Sequence, residues 1–407
     1  MKKIVLVINP DPYVTLGCLY VADALEQAGY KVVLFELKWS KELFLKEIQD
    51  AFIVGFSIMT GPALELAVDL SKAAHGKVPV VWGGPHATLL AEQCLKEPYI
   101  DFVVKGEGEE AIIDVLEHIN NNGESKKIFE KVVTDLDKYK PAWHLIKNLN
   151  NLLFTEKHSV RGKDPDEKIY KKVFYYIVTS RGCPYRCRFC YNTSRRFKWR
   201  GHSLEWVEEQ IKYIKEVVNP DAIGLWDDNM WVDQKRALAI INLLKKYDLA
   251  FLCEVRADRV TEDLIKLLKD ANCLQIFIGA ESGSQRVLDY IKKDLKLEQL
   301  RKVVEWSDKY HLPARFSFII GFPEETQPEV EETIQFIIEL SKHQHVSISG
   351  PKAYTPYPGT SLYEEAIKYG FKVPESVLDW KNITRYTNPL LLPWFREENI
   401  KYLKMFG

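Results

Sequence analysis

The chain has almost no net charge: 56 lysines and arginines face 57 aspartates and glutamates, leaving −1 at pH 7. Without a field of one sign there is no global footprint for nucleic acid or for an anionic membrane surface. Long apolar runs are missing too, since charges interrupt each of them well before the length of a membrane span. The opening Met1-Lys2-Lys3 and the apolar run Ile4–Ile8 superficially suggest a leader, but the run is too short and reads better as a buried first strand. Cysteine is sparse and odd in number, 7 in 407 residues, which argues against a disulfide framework and for a reducing, cytoplasmic setting. Neither a nucleic-acid partner nor a membrane span is expected. The length predicts two or three domains, each able to bury its own core.

Three of the cysteines stand together in Ser180-Arg181-Gly182-Cys183-Pro184-Tyr185-Arg186-Cys187-Arg188-Phe189-Cys190-Tyr191-Asn192, directly after the apolar run Phe174–Thr179. Thiolates at this C-x-x-x-C-x-x-C spacing suit three corners of a cubane iron–sulfur cluster. No fourth cysteine follows at a matching distance, so one iron would stay open to an outside ligand. A structural zinc site would need four closed protein ligands, which the local sequence lacks. The motif, with Phe189 just before Cys190, resembles the signature of the radical S-adenosylmethionine (SAM) enzymes. The resemblance implies a [4Fe–4S] cluster on Cys183, Cys187 and Cys190, whose open iron chelates the amino and carboxylate groups of SAM.

Upstream, residues 1–120 alternate apolar strand candidates (Ile4–Ile8, Val32–Leu37, Phe52–Ile58, Val78–Trp82, Phe102–Val104) with amphipathic stretches such as Leu19–Ala28, Ala63–Ala74 and Ala111–Ile119. This pattern predicts a doubly wound parallel sheet with any ligand at the carboxyl ends of its strands. Those ends carry Tyr13, Ser57, Thr60, Gly83-Gly84-Pro85-His86 and Gly106-Glu107, where glycine pairs let a bulky ligand approach the backbone. The arrangement resembles the cobalamin-binding domain that precedes many radical SAM domains, and the resemblance implies that these residues contact cobalamin. The Asp-x-His-x-x-Gly signature is absent after the first strand; Tyr13 stands where its histidine would fall and Leu16 where its glycine would. A lower axial histidine is therefore not expected from that loop. His86, alone in a turn, reads mainly as a local hydrogen-bonding residue.

Residues 121–172 are polar and irregular and read as a connector, within which Leu136–Trp143 looks like an ordered strap. From 173 to 355 the alternation resumes over six strand candidates: Phe174–Thr179, Ala222–Trp226, Phe251–Val255, Leu274–Gly279, Phe316–Ile320 and Val346–Ser349. Ser203 and Pro328 mark helix starts. Six βα units predict a partial (β/α)6 barrel with its site at the strands' carboxyl ends. By resemblance Asp227, Asp228, Glu254, Arg256, Glu281 and Ser282 form a polar ring for SAM, with Gly321 to Pro323 as the adenine edge. Arg256 has an alternative reading as an ion-pair partner of Glu254. The basic run Arg195–Arg200 reads as a solvated loop or an anion contact. Cys18, Cys94, Cys253 and Cys273 read as buried small apolar residues, with Cys253 the one that could face the cavity. Residues 356–407 read as a short C-terminal cap.

The expected protein is α/β, a doubly wound cobalamin-binding domain followed by a partial radical SAM barrel. The resemblance implies a methyltransferase acting on an unactivated carbon by way of a 5′-deoxyadenosyl radical and methylcobalamin. Its partners would be a peptide or small-molecule substrate and an electron donor such as flavodoxin or ferredoxin. A cyclase or ring-contracting enzyme of the same fold, and a non-catalytic cobalamin or redox sensor, are the alternatives.

Overall fold

The structure is a computed structural model and describes residues 1–8, 16–123, 125–157, 170–192, 198–383 and 389–405. Tyr13 and the run 195–197 lie outside the described residues. Contacts divide the chain into two compact units, residues 1–152 with 372–384, and residues 153–371 with 385–407.

In the first unit, the continuous apolar runs of the central strands are those of a sheet buried on both faces. β1 (Lys3–Ile8), β2 (Lys31–Glu36), β3 (Ala51–Ser57), β4 (Val80–Gly83), β5 (Phe102–Gly106) and β6 (Ile128–Lys131) form one parallel sheet in the order β2-β1-β3-β4-β5-β6. Helices Leu16–Gln27 and Gly108–Asn120 bury Ala22, Leu25, Ala111 and Val115 against Ile4, Leu6 and Ile53 of the sheet. The chain goes to opposite sides of β1 to make β2 and β3, so the carboxyl ends of β1 and β3 are the topological switch point where such sheets bind ligands.

β6 lies within the expected connector. An edge strand needs only one buried side chain, here Phe129, and its neighbours Glu130 and Lys131 are exposed, so the polar composition concealed it. The strap residues Leu136, Tyr139, Ala142 and Trp143 are buried, and the Ala142 N–H donates to the Leu19 carbonyl at 3.1 Å.

The second unit is a curled half-barrel. β8 (Tyr170–Ile177), β11 (Ala222–Leu225), β12 (Ala250–Glu254), β13 (Cys273–Glu281), β14 (Ala314–Ile320) and β15 (Val346–Ala353) run parallel, in the order β15-β14-β13-β12-β11-β8. β7 (Leu153–Lys157) extends the sheet antiparallel to β8, again from the segment read as connector. The Ser203 hydroxyl caps helix Leu204–Val217 by accepting from the Trp206 N–H, and helix Gln327–Leu340 opens on a capping box of Thr326 and Glu329. A short antiparallel pair, β9 (Ser180–Arg181) and β10 (Arg200–Gly201), brackets the three-cysteine loop.

The expected cap divides between the units: residues 372–384 join the first and residues 385–407 the second. Trp380 has no accessible surface and donates from its indole to Gln93 Oε1 at 2.8 Å within the first unit.

Candidate active site

The cysteine loop leaves the carboxyl end of β8, and the next strand end holds it. Asp227 Oδ1 accepts from the Thr179 N–H at 3.0 Å and from the Thr179 and Ser180 hydroxyls at 2.8 and 2.6 Å. Burial raises the Asp227 carboxyl above its usual range, and these donors pull it back. Asp228 Oδ2 accepts from the Gly182 N–H at 2.8 Å, and Asn229 Nδ2 lies 3.9 Å from Cys183 Sγ. Arg236 adds a donor to the Thr179 carbonyl at 2.6 Å. By resemblance both aspartates were expected in a ring for SAM; the hydrogen bonds above join them to the start of the loop.

The cations around the thiols are more telling than the carboxylates. Arg256 Nη1 lies 3.9 Å from Cys187 Sγ, while its other nitrogens donate to Asp258 Oδ1 at 2.9 Å and to the Lys293 carbonyl at 2.7 Å. Arg256 also stacks 3.5 Å above the Tyr185 ring. Its carboxylate partner is therefore Asp258, not Glu254. Lys293, which sequence reasoning missed, donates to Glu281 Oε1 at 2.7 Å in a pair that is buried on both sides. Burial pushes the Cys190 thiol up to about 11 and raises that of Cys187, while the positive field of Lys293 opposes both rises. Lys293 was not legible because it stands twelve positions beyond Glu281, in a turn without a motif.

Glu281 sits at a break in the β13–β14 register with φ of 67°, left-handed for a non-glycine residue. Ser282 faces away, with its hydroxyl 2.9 Å from that of Thr333 on helix Gln327–Leu340. Glu254, at the end of β12, has no hydrogen bond or ion pair from its carboxylate among the described residues. Surrounding protein pushes it up to about 7, with Asp228, Glu281 and Asp227 adding to the rise and Lys293 opposing it. Its side chain is nevertheless open to solvent. Beside it Trp226, 48% exposed, meets Tyr175 and Phe277 edge-on at 5.5 and 5.9 Å. Phe189 packs on Phe322, 5.9 Å away at the end of β14, between Gly321 and the buried Pro323.

Among the described residues no three His, Cys, Asp or Glu side chains converge on a single metal ion. A cubane does not ask for convergence, because each thiolate holds a different iron. Three thiols on one braced loop, with two cations beside them and no fourth sulfur on the loop, fit that donor set. Cys18, Cys94, Cys253 and Cys273 are all buried, and Cys273 donates to the Gln275 carbonyl at 3.5 Å.

At the switch point of the first unit, Gly84 adopts φ of 84°, and a Cβ there would lie 2.8 Å from the Ile58 nitrogen and 2.9 Å from Ser57 Oγ. Only a residue without a side chain fits so close to the end of β3 in this left-handed backbone. Gly83, at the end of β4, accepts from the Ile58 N–H at 3.0 Å. Pro85 starts helix Gly84–Leu89. Gly106 donates to Thr88 Oγ1 at 2.9 Å, and Glu107 Oε2 accepts from the Val133 N–H at 2.7 Å, which commits Glu107 to the fold. His86 has no accessible surface; Thr60 Oγ1 lies 3.0 Å from its Nδ1, and the rings of Trp82 and Trp380 flank it. Burial lowers its pKa to about 4. It is a core imidazole with a local hydrogen-bond partner, where a turn residue was expected and the resemblance implied a cobalamin contact. Glycine at 84 lets the β4 turn pack directly on the end of β3 beside Ser57.

Residues 177–337 match the family model of the radical SAM superfamily, and residues 2–116 match that of the B12 binding domain. An uncharacterized methyltransferase of Pyrococcus horikoshii is 30% identical over 99% of this chain and 88% of its own. An anaerobic magnesium-protoporphyrin IX monomethyl ester cyclase of Rubrivivax gelatinosus is 25% identical over 92% of this chain and 69% of its own. The fold is similar to that of the radical S-adenosylmethionine methyltransferase TsrM from Kitasatospora setae, solved with tryptophan substrate and a SAM analogue bound. The TM-score is 0.67 at 16% identity, covering 92% of this chain and 78% of TsrM. The chain belongs to the cobalamin-dependent radical SAM enzymes, whose cofactors are a [4Fe–4S] cluster, SAM and cobalamin.

Proposed function

We propose that the protein is a cobalamin-dependent radical SAM methyltransferase that methylates an unactivated carbon. The observation that carries the reading is the braced three-thiol loop, set among Arg256, Lys293 and the unpaired carboxylate of Glu254. Methyl transfer is favoured by the relative similar over 99% of this chain, which is described as a methyltransferase.

Cys183, Cys187 and Cys190 would hold the cluster, and Arg256 and Lys293 would offset its negative charge. Glu254 would supply the carboxylate for the SAM ammonium or ribose. Asp227, Asp228, Glu281 and Ser282 would position their neighbours. Gly321 and Pro323, with Phe189 nearby, would form the adenine edge. Ser57, Thr60, Gly83, Gly84, Pro85 and Gly106 would cradle the nucleotide tail of cobalamin, and His86 is not proposed as a cobalt ligand. The exposed faces of Trp226, Tyr175 and Phe277 would take the apolar part of the substrate and exclude water. When bound, the cluster and SAM supply a 5′-deoxyadenosyl radical, and cobalamin supplies the methyl group. A reducing cytoplasm would provide electrons through a flavodoxin or ferredoxin.

The second reading is a cobalamin-using cyclase that transfers no methyl, favoured by the cyclase similar over 92% of this chain. Anaerobic turnover with labelled SAM separates the two: methylated product must accumulate alongside 5′-deoxyadenosine, and a product without the methyl mass excludes methyl transfer. Cys187→Ala should abolish the cluster absorbance and 5′-deoxyadenosine formation together. Cleavage that survives this change overturns the assignment of the centre.

A further inference from the structure

Gly321 is engaged on every side it has. Its N–H donates to Glu325 Oε2, which also accepts from the Phe322 N–H at 3.2 Å. Its carbonyl accepts from the Trp394 indole at 2.9 Å. Its φ is 84°, and the Phe395 ring fills the space a side chain would need. Trp394 and Phe395 come from the C-terminal residues 389–399, some seventy positions away in the chain.

Behind this turn lies a small cavity of about 20 Å³, lined by Gly321, Glu325, Gln327, Trp394, Arg396 and Asn399. Glu325 Oε1, Gln327 Oε1 and Asn399 Oδ1 are buried and have no hydrogen-bond partner among the described residues. Buried acceptors without a partner cost free energy until a donor is supplied. The space suits one water, and burial pushes Glu325 up to about 8, so that its carboxyl keeps a proton at neutral pH. A protonated Glu325 has a donor to offer the water while Oε2 accepts from the two N–H groups.

We infer that residues 389–399 are part of the cofactor site: Trp394 and Glu325 clasp Gly321 from its carbonyl and amide sides and act as positioning residues for the edge on which the adenine of SAM lies. The inference rests on the proposed reading of Gly321 to Pro323 as that edge. A clasp of this kind sets SAM affinity rather than the chemical step.

The test uses the full chain with its cluster reconstituted, and reads KM for SAM and kcat from 5′-deoxyadenosine formation. Iron and cobalamin content serve as controls. Trp394→Phe keeps the packing and removes the hydrogen bond; it should raise KM by about threefold to tenfold, the size of one net hydrogen bond, with kcat nearly unchanged. Glu325→Ala should do the same, and Glu325→Gln, which mimics the protonated acid, should restore the parent KM. Gly321→Ala separates the two ideas. If Gly321→Ala raises KM while Trp394→Phe and Glu325→Ala leave it unchanged, the clasp is overturned and the edge reading stands. If Gly321→Ala also leaves KM unchanged, the edge reading itself has failed.

Discussion

Lys293 and Glu281 form a buried ion pair, and the free energy of such a pair lies mostly in what happens when half of it is removed. Lys293→Met keeps the apolar stem but strands a carboxylate in the protein interior. We expect the second unit to lose about 3–5 kcal/mol, read as a lower denaturant midpoint, with much of the loss recovered in the Glu281→Gln, Lys293→Met double variant. His86 gives a pH dependence with a definite sign. Its folded pKa, about 4, lies below the unfolded value near 6.5, so between these values the unfolded chain binds more protons. Stability is therefore unaffected above about pH 6.5 and falls as the pH drops towards 4, by about 2 kcal/mol at pH 5. Urea titrations of the cofactor-free protein should show this slope, and His86→Phe should flatten it.

At the scale of elements, the strand ends decide what each sheet can hold. Gly84 is the tightest point of the first unit's switch region, and Gly84→Ala combines a left-handed backbone with a Cβ pressed on Ile58. The variant should lose about 1–3 kcal/mol and retain much less cobalamin after reconstitution, measured by absorbance per chain. The paired core strands were legible because a strand buried on both faces leaves an unbroken apolar run. β6 and β7 were not, because an edge strand needs few buried side chains and its polar residues look like a loop. The cysteine loop was legible for the opposite reason: its ligand spacing is entirely local. The bonds of Asp227 and Asp228 to the loop were not, since an acidic residue at a strand end looks the same whatever donor it meets.

At the scale of the whole molecule, the C-terminal stretch proves to be two pieces with different duties. Residues 372–384 return to the first unit, where Trp380 packs edge-on to His86 at 6.3 Å and Lys381 pairs with Glu65 at 3.2 Å. Trp380→Ala should cost about 3–5 kcal/mol by opening a cavity there, seen as earlier unfolding of the first unit, while the cluster absorbance persists. Composition marked this region only as too short to form a core of its own. The sequence by itself determined the two α/β units, the cysteine loop and the glycine-lined strand ends, because periodicity, spacing and missing side chains are properties of neighbouring residues. Only the tertiary structure decided that Lys293 reaches Glu281, that Arg256 takes Asp258, and that Trp394 holds Gly321. Those pairings depend on how strands and turns far apart in the chain are brought together, and no local pattern encodes a partner that arrives from elsewhere in the fold.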